Sequence, residues 1–246
     1  MPLVPYREPR RAAERQAGGG LTPELVIRAL GPFVSDERKR RIEEVLRGRL
    51  ASVTVVLENL YDPHNGAAVL RTCEGLGLHH VHVVEGSEPF FFSRKVSQSA
   101  HKWLAVYLYP TVDECLGALR GAGFRCWAAL PPGRVGGCGP GLDVLDADGP
   151  TALVFGNEHA GLSARAVELC DGRFAIPMHG FCESLNLSVS VALALRPLVD
   201  RRRAHLGRSG DFGADALRRL RAGYYALSTP HAVELVLRQL AEGRTG

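Results

Sequence analysis

Three stretches of this chain gather polar side chains among glycines and small residues: NLYDPHNGAAVLRT (59–72), FGNEHAGLS (155–163) and, within 176–195, IPMHGFCESLNLSVSVALAL. The first carries Asn65 and Arg71, the second Gly156, Asn157 and Glu158, the third Ile176, Met178, Ser184, Leu185 and Asn186. Carboxamide, carboxylate, hydroxyl and guanidinium groups of this kind suit the grip of a polar ligand, and the small neighbours let backbone approach it closely. The third stretch passes from a polar loop into an apolar helix, so the unpaired N–H groups at that start need a cap, water or a ligand. Taken singly, each residue has a plainer use. Asn65, Ser184 or Asn186 would serve as a helix N-cap, Arg71 as a surface partner of Glu74, and Glu158 as a solvated carboxylate.

The elements that must position these residues alternate in period. SVTVVLE (52–58), HVHVV (80–84), WLAVYLY (103–109), FRCWAAL (124–130) and TALVFG (151–156) read as strands, and a short strand enters Ile176. Between them, helices are expected at 65–76, closed by Gly77, at 111–119 behind a Thr111/Glu114 capping box, and at 163–169. Strands alternating with helices predict an α/β fold with a mainly parallel sheet. All three polar stretches then leave C-terminal strand ends, where ligands of such sheets bind. Thr22-Pro23 and Ser35 each start a short helix, and further helices are expected at 214–220 and 231–240, with Pro197 as a kink in the helix before them.

The expected organisation is a basic disordered tail at 1–20, a helical extension at 21–50, an α/β domain at 51–200 and a basic helical extension at 201–246. Of the 246 residues 46% are apolar and 23% charged, which is the balance of a soluble globular protein. No apolar run is long enough to span a membrane and no signal peptide is visible, so the expected location is the cytoplasm. Six scattered cysteines without a CxxC pair indicate neither a zinc site nor a disulfide framework, and His80 and His82 lack a third ligand, so no metal is expected. GxxxxGK[ST], GxGxxG and GxSxG are all absent. The net charge is only +4, yet arginines cluster at the ends. Arg10, Arg11, Arg40 and Arg41 on one side and Arg201, Arg202 and Arg203 on the other suit a polyanion.

Together, DPHNGAAVLRT, FGNEHAGLS and IPMHGFCESLNLSVSVALAL resemble, in order and in type, the three motifs of the SpoU/TrmH branch of the SPOUT RNA methyltransferases. The resemblance implies a parallel α/β domain with a C-terminal deep trefoil knot at about 150–200, a homodimer, and transfer of a methyl group from S-adenosylmethionine to a ribose 2′-hydroxyl of structured RNA. It assigns catalytic positions to Arg71, Asn65, Glu158, Ser184 and Asn186. Cofactor contacts fall to Ala129, Leu130, Gly156, Asn157, Ile176, Met178, Ser184, Leu185 and Asn186, and Arg71 joins the RNA-binding arginines. Only about fifty residues precede the first strand, too few for the separate RNA-binding domain that ribosomal RNA enzymes of the branch often carry. Short basic extensions at both ends instead resemble the branch's tRNA enzymes, so the expected substrate is a tRNA D-loop guanosine, with ribosomal RNA or a silent RNA-binding role as alternatives.

Overall fold

The computed structural model describes residues 22–86, 100–132 and 140–242, so the expected tail with Arg10 and Arg11 lies outside the described residues. Those residues form two units, one of 50–209 and one that joins 22–49 to 210–242.

The first unit is built on six parallel strands: β1 (Val53–Glu58), β2 (His80–Val84), β3 (Ala105–Tyr109), β4 (Arg125–Ala129), β5 (Thr151–Phe155) and β6 (Gly172–Phe174), in the order β3-β2-β1-β5-β4-β6. β1 lies between β2 and β5, with Val56 opposite His82 on one side and Val154 on the other. All six of its residues are buried, as the β-branched run predicts for a central strand of a parallel sheet. Helices cover both faces. Val53, Val55 and Leu57 meet Val69, Leu70 and Cys73 of α3 (Pro63–Gly75) and Val191, Leu195 and Leu198 of α6 (Leu187–Leu206). Val56, Val154 and Ala128 on the opposite face meet Cys115, Leu116 and Leu119 of α4 (Val112–Gly121) and Ala166 of α5 (Ala164–Leu169).

Caps set several boundaries. Asp62 caps α3 and Pro63 takes its first position, so this helix starts two residues before Asn65 and leaves that side chain free of capping. Asn186 caps α6, which continues past Pro197 to Leu206 and so runs through the expected boundary after residue 200. Gly77, at φ +88°, occupies the left-handed conformation that turns the chain from α3 toward β2.

The second unit is helical: α1 (Pro23–Leu30), α2 (Asp36–Arg47), α7 (Ala214–Ser228) and α8 (Ala232–Glu242). Thr22 and Ser35 cap the first two as expected. The guanidinium of Arg49, 1% exposed, donates from Nε to the Tyr224 hydroxyl at 3.1 Å, and Arg221 forks onto the Glu43 carboxylate. The two terminal segments therefore close on one another. Among the described residues no helix is long and apolar enough to cross a membrane.

Candidate active site

In the order of this sheet the chain runs outward from β1 to β3, crosses to β4 on the other side and comes back beside β1 at β5, from which it leaves outward again to β6. The crevice beyond the C-terminal ends of β1 and β5 is therefore the topological switch point at which parallel sheets take ligands. The first polar stretch leaves β1 and the second leaves β5.

The third stretch joins them. Asn186 sits at the N-terminus of α6, where its Oδ1 accepts from the Ser188 N–H at 2.9 Å and from the Ser188 hydroxyl at 2.7 Å. With the oxygen held by the helix start, the NH₂ end turns outward and donates to Asn65 Oδ1 at 3.0 Å. Asn65 in turn donates from Nδ2 to the Glu158 carboxylate. A one-way chain of donors thus crosses all three loops, and the backbone N–H of α6 fixes its direction. Asn186 is both the cap and the first donor of that chain.

The loop that presents Glu158 is held on both sides. Asn157 Oδ1 accepts from the N–H groups of His159 (3.0 Å) and Ala160 (2.7 Å), and Gly161 N–H returns to the Asn157 carbonyl. A Cβ on Gly156 would collide with the backbone of Gly161, so the turn demands glycine there. At its exit, both oxygens of Glu58, 7% exposed, accept from Ser163, from the N–H at 2.8 Å and the hydroxyl at 2.7 Å. The Ser163 Oγ also caps α5. Sequence reasoning missed the Glu58 clamp. A lone carboxylate closing an apolar strand was the available signal, because a buried charge requires partners.

Arg71 and Ser184 are not in the donor chain. Arg71 is exposed and has no hydrogen bond or ion pair among the described residues, so the surface pairing with Glu74 is not formed. Six residues along α3 place it roughly 9 Å further along the axis than Asn65 and about 120° around it. Ser184 is exposed on the third loop. Of the residues assigned to cofactor, Ala129 ends β4 and Leu130 follows it, donating its N–H to the carbonyl of Phe174 at the end of β6. Gly156 and Asn157 follow β5, while Ile176, Met178 and Leu185 lie half-buried on the loop after β6. Leu130 lines an open cleft with Leu162, Ala164, Val167, Glu168 and Arg173.

Within the cluster 201–203, Arg202 requires a correction. Arg202, 8% exposed, donates to the Ser52 hydroxyl (2.8 Å) and to the carbonyls of Ala147 (3.0 Å) and Asp148 (2.7 Å). Arg201 binds the carbonyls of Leu142 and Asp143, and Arg203 those of Leu76 and Ser209. Arg202 is thereby engaged inside the fold, while Arg201 and Arg203 are half-exposed with these donors turned to loop carbonyls. Arg40 and Arg41 are exposed on α2, Arg41 in an ion pair with Glu44. No group of three or more metal-ligating side chains occurs among the described residues.

A parallel α/β unit with a polar site strung across the C-terminal strand ends defines the class, and comparison with known proteins defines the family. The model of the SpoU rRNA methylase family matches residues 52–196, and the chain belongs to that family of RNA methyltransferases. It is 39% identical over 163 residues to a Thermus thermophilus protein named tRNA (guanosine(18)-2′-O)-methyltransferase, covering 65% of this chain and 81% of that one. The Escherichia coli protein of the same name is 31% identical over 159 residues, 64% and 67% of the two chains. The crystal structure of the Aquifex aeolicus TrmH/SpoU tRNA modifying enzyme superposes with a TM-score of 0.69 at 26% identity, covering 78% of this chain and 96% of that one. The parallel α/β fold and the family expected from the three motifs are both confirmed.

Proposed function

We propose that this enzyme transfers a methyl group from S-adenosylmethionine to the ribose 2′-hydroxyl of the D-loop guanosine of tRNA. The observation that carries the reading is the Asn186–Asn65–Glu158 donor chain, which ties the three family motifs into one site. The names of the Thermus and Escherichia relatives support the choice of tRNA guanosine over ribosomal RNA.

The residues present fit the cofactor. Leu130, Leu162 and Val167 give an apolar wall that an adenine ring would pack against, in a cleft whose polar lining is Arg173 and Glu168, the latter paired with Arg165. Ala129, Gly156, Asn157, Ile176, Met178, Ser184 and Leu185 would complete its hold, with Asn186 at the reacting end. S-adenosylmethionine supplies the methyl group in activated form. The chain must then place the ribose and ease loss of the hydroxyl proton. A guanidinium is always protonated, so Arg71 acts by stabilising the developing alkoxide and the neighbouring phosphate rather than as a base. Its exposure and lack of a partner leave it open to that phosphate. The donor chain holds Asn65 and Glu158 in fixed positions for alignment of the acceptor.

A second copy of the chain would cover Val189 and Leu193, 44% and 45% exposed one turn apart on α6, which supports the homodimer. The trefoil knot within 150–200 and a cytoplasmic location belong to the same reading. The test is transfer from labelled S-adenosylmethionine to unmodified tRNA and unmodified ribosomal RNA in parallel, with the methylated nucleotide mapped. One D-loop guanosine supports the proposal. Label on ribosomal RNA alone overturns the substrate.

A further inference from the structure

The site carries two exposed rings that the donor chain does not use. Tyr61 lies one residue before the Asp62 cap of α3 and is 73% exposed. His159 follows Glu158 and is also exposed. Their ring centroids are 5.9 Å apart at an interplanar angle of 78°, so the first and second loops meet here through an edge-on aromatic contact. Two nearly perpendicular exposed rings make a corner of a shape that suits a flat ring stacked on one wall with its edge against the other.

Both walls stand on ordered backbone. Asp62 Oδ1 accepts from His64 N–H at 2.8 Å, and the His159 N–H is held by Asn157 Oδ1. At that exposure Tyr61 contributes little to the core, which leaves its ring accessible to a ligand. The corner adjoins Asn65 and Glu158, four residues after Tyr61 and one before His159, so its occupant is a neighbour of the acceptor group.

We infer that the Tyr61–His159 corner is a stacking site for an unpaired nucleobase of the RNA, at or beside the methylated nucleotide. The inference rests on the RNA reading above. Bases splayed from a loop are held in this way by aromatic side chains, without need of base-specific hydrogen bonds.

The experiment measures equilibrium binding of an unmodified tRNA transcript to wild type, Tyr61→Ala, Tyr61→Phe and His159→Ala, alongside methyl transfer by wild type. The transcripts carry either a full D-loop or a single abasic nucleotide at the target or at one flank. Loss of a stacked base weakens binding about tenfold for Tyr61→Ala. Tyr61→Phe, which keeps the ring, stays within about twofold. One abasic position weakens wild-type binding similarly and removes the difference between wild type and Tyr61→Ala, which identifies the stacked base. Equal binding by Tyr61→Ala and wild type overturns the inference, as does a Tyr61→Ala defect that persists on every abasic transcript. Wild-type methylation with an indifferent Tyr61→Ala variant sinks the stacking site alone. Wild type that neither binds nor methylates tRNA sinks both readings.

Discussion

Asn186 and Asn65, 121 positions apart in the chain, share a hydrogen bond of 3.0 Å whose donor is fixed as Asn186 by the helix that it caps. One carboxamide therefore has two uses, its oxygen capping α6 and its NH₂ group reaching Asn65. Asn186→Asp keeps an acceptor for the Ser188 N–H but sets an anionic oxygen against Asn65 Oδ1. The expected result is a change in stability below about 1 kcal/mol by urea denaturation, with a loss of about 100-fold or more in kcat, about 2.7 kcal/mol in barrier. A variant as active as wild type would show that the donor chain does not position the site.

Arg71 is exposed and makes no hydrogen bond or ion pair among the described residues. Arg71→Ala should abolish methyl transfer, measured in single turnover, while the Kd for S-adenosylmethionine determined by calorimetry stays within about twofold. Near wild-type turnover would remove Arg71 from the mechanism.

The internal arginines behave in the opposite way. Arg202→Ala strips three charge-assisted hydrogen bonds from buried or half-buried acceptors and should cost about 3–5 kcal/mol in stability. Arg40→Ala should leave stability unchanged and lower the slope of log Kd for tRNA against log salt by about one. If Arg202→Ala were fully stable and changed only the salt slope, its burial would have been misread.

His82 makes the fold sensitive to acid. Burial, followed by the nearby His80, holds its pKa down at about 3 from the usual 6.5, and it bonds the Tyr109 hydroxyl through Nδ1 at 3.1 Å and stacks on Tyr107. Between pH 6.5 and 3 the unfolded chain binds a proton that the folded chain refuses, so stability falls as pH drops through that window, by up to ~1.4 kcal/mol per unit. His82→Phe removes this part of the slope. Urea midpoints at pH 7 and 5 for both proteins test it, and equal losses would contradict the account.

Much of this was legible in the sequence because local signals agreed with the global fold. β-branched runs gave the strands, and Thr22, Ser35, Thr111 and Ser163 gave helix starts that the structure places as caps. Arg202 was misleading, because a charge run looks the same whether a guanidinium faces phosphate or reaches back to carbonyls across more than fifty residues. The Glu58–Ser163 clamp and the Tyr61–His159 contact were hidden for a related reason. Each joins loops about a hundred residues apart, and only the β1–β5 adjacency brings them together.

The most direct test of ribose methylation uses two tRNA transcripts that differ by one atom, a full-ribose D-loop guanosine in one and its 2′-deoxy form in the other. With labelled S-adenosylmethionine the first should take up one methyl group, resistant to alkaline cleavage at that nucleotide, and the second none. Label on the deoxy transcript would place the methyl group elsewhere and contradict 2′-O-transfer at the D-loop guanosine.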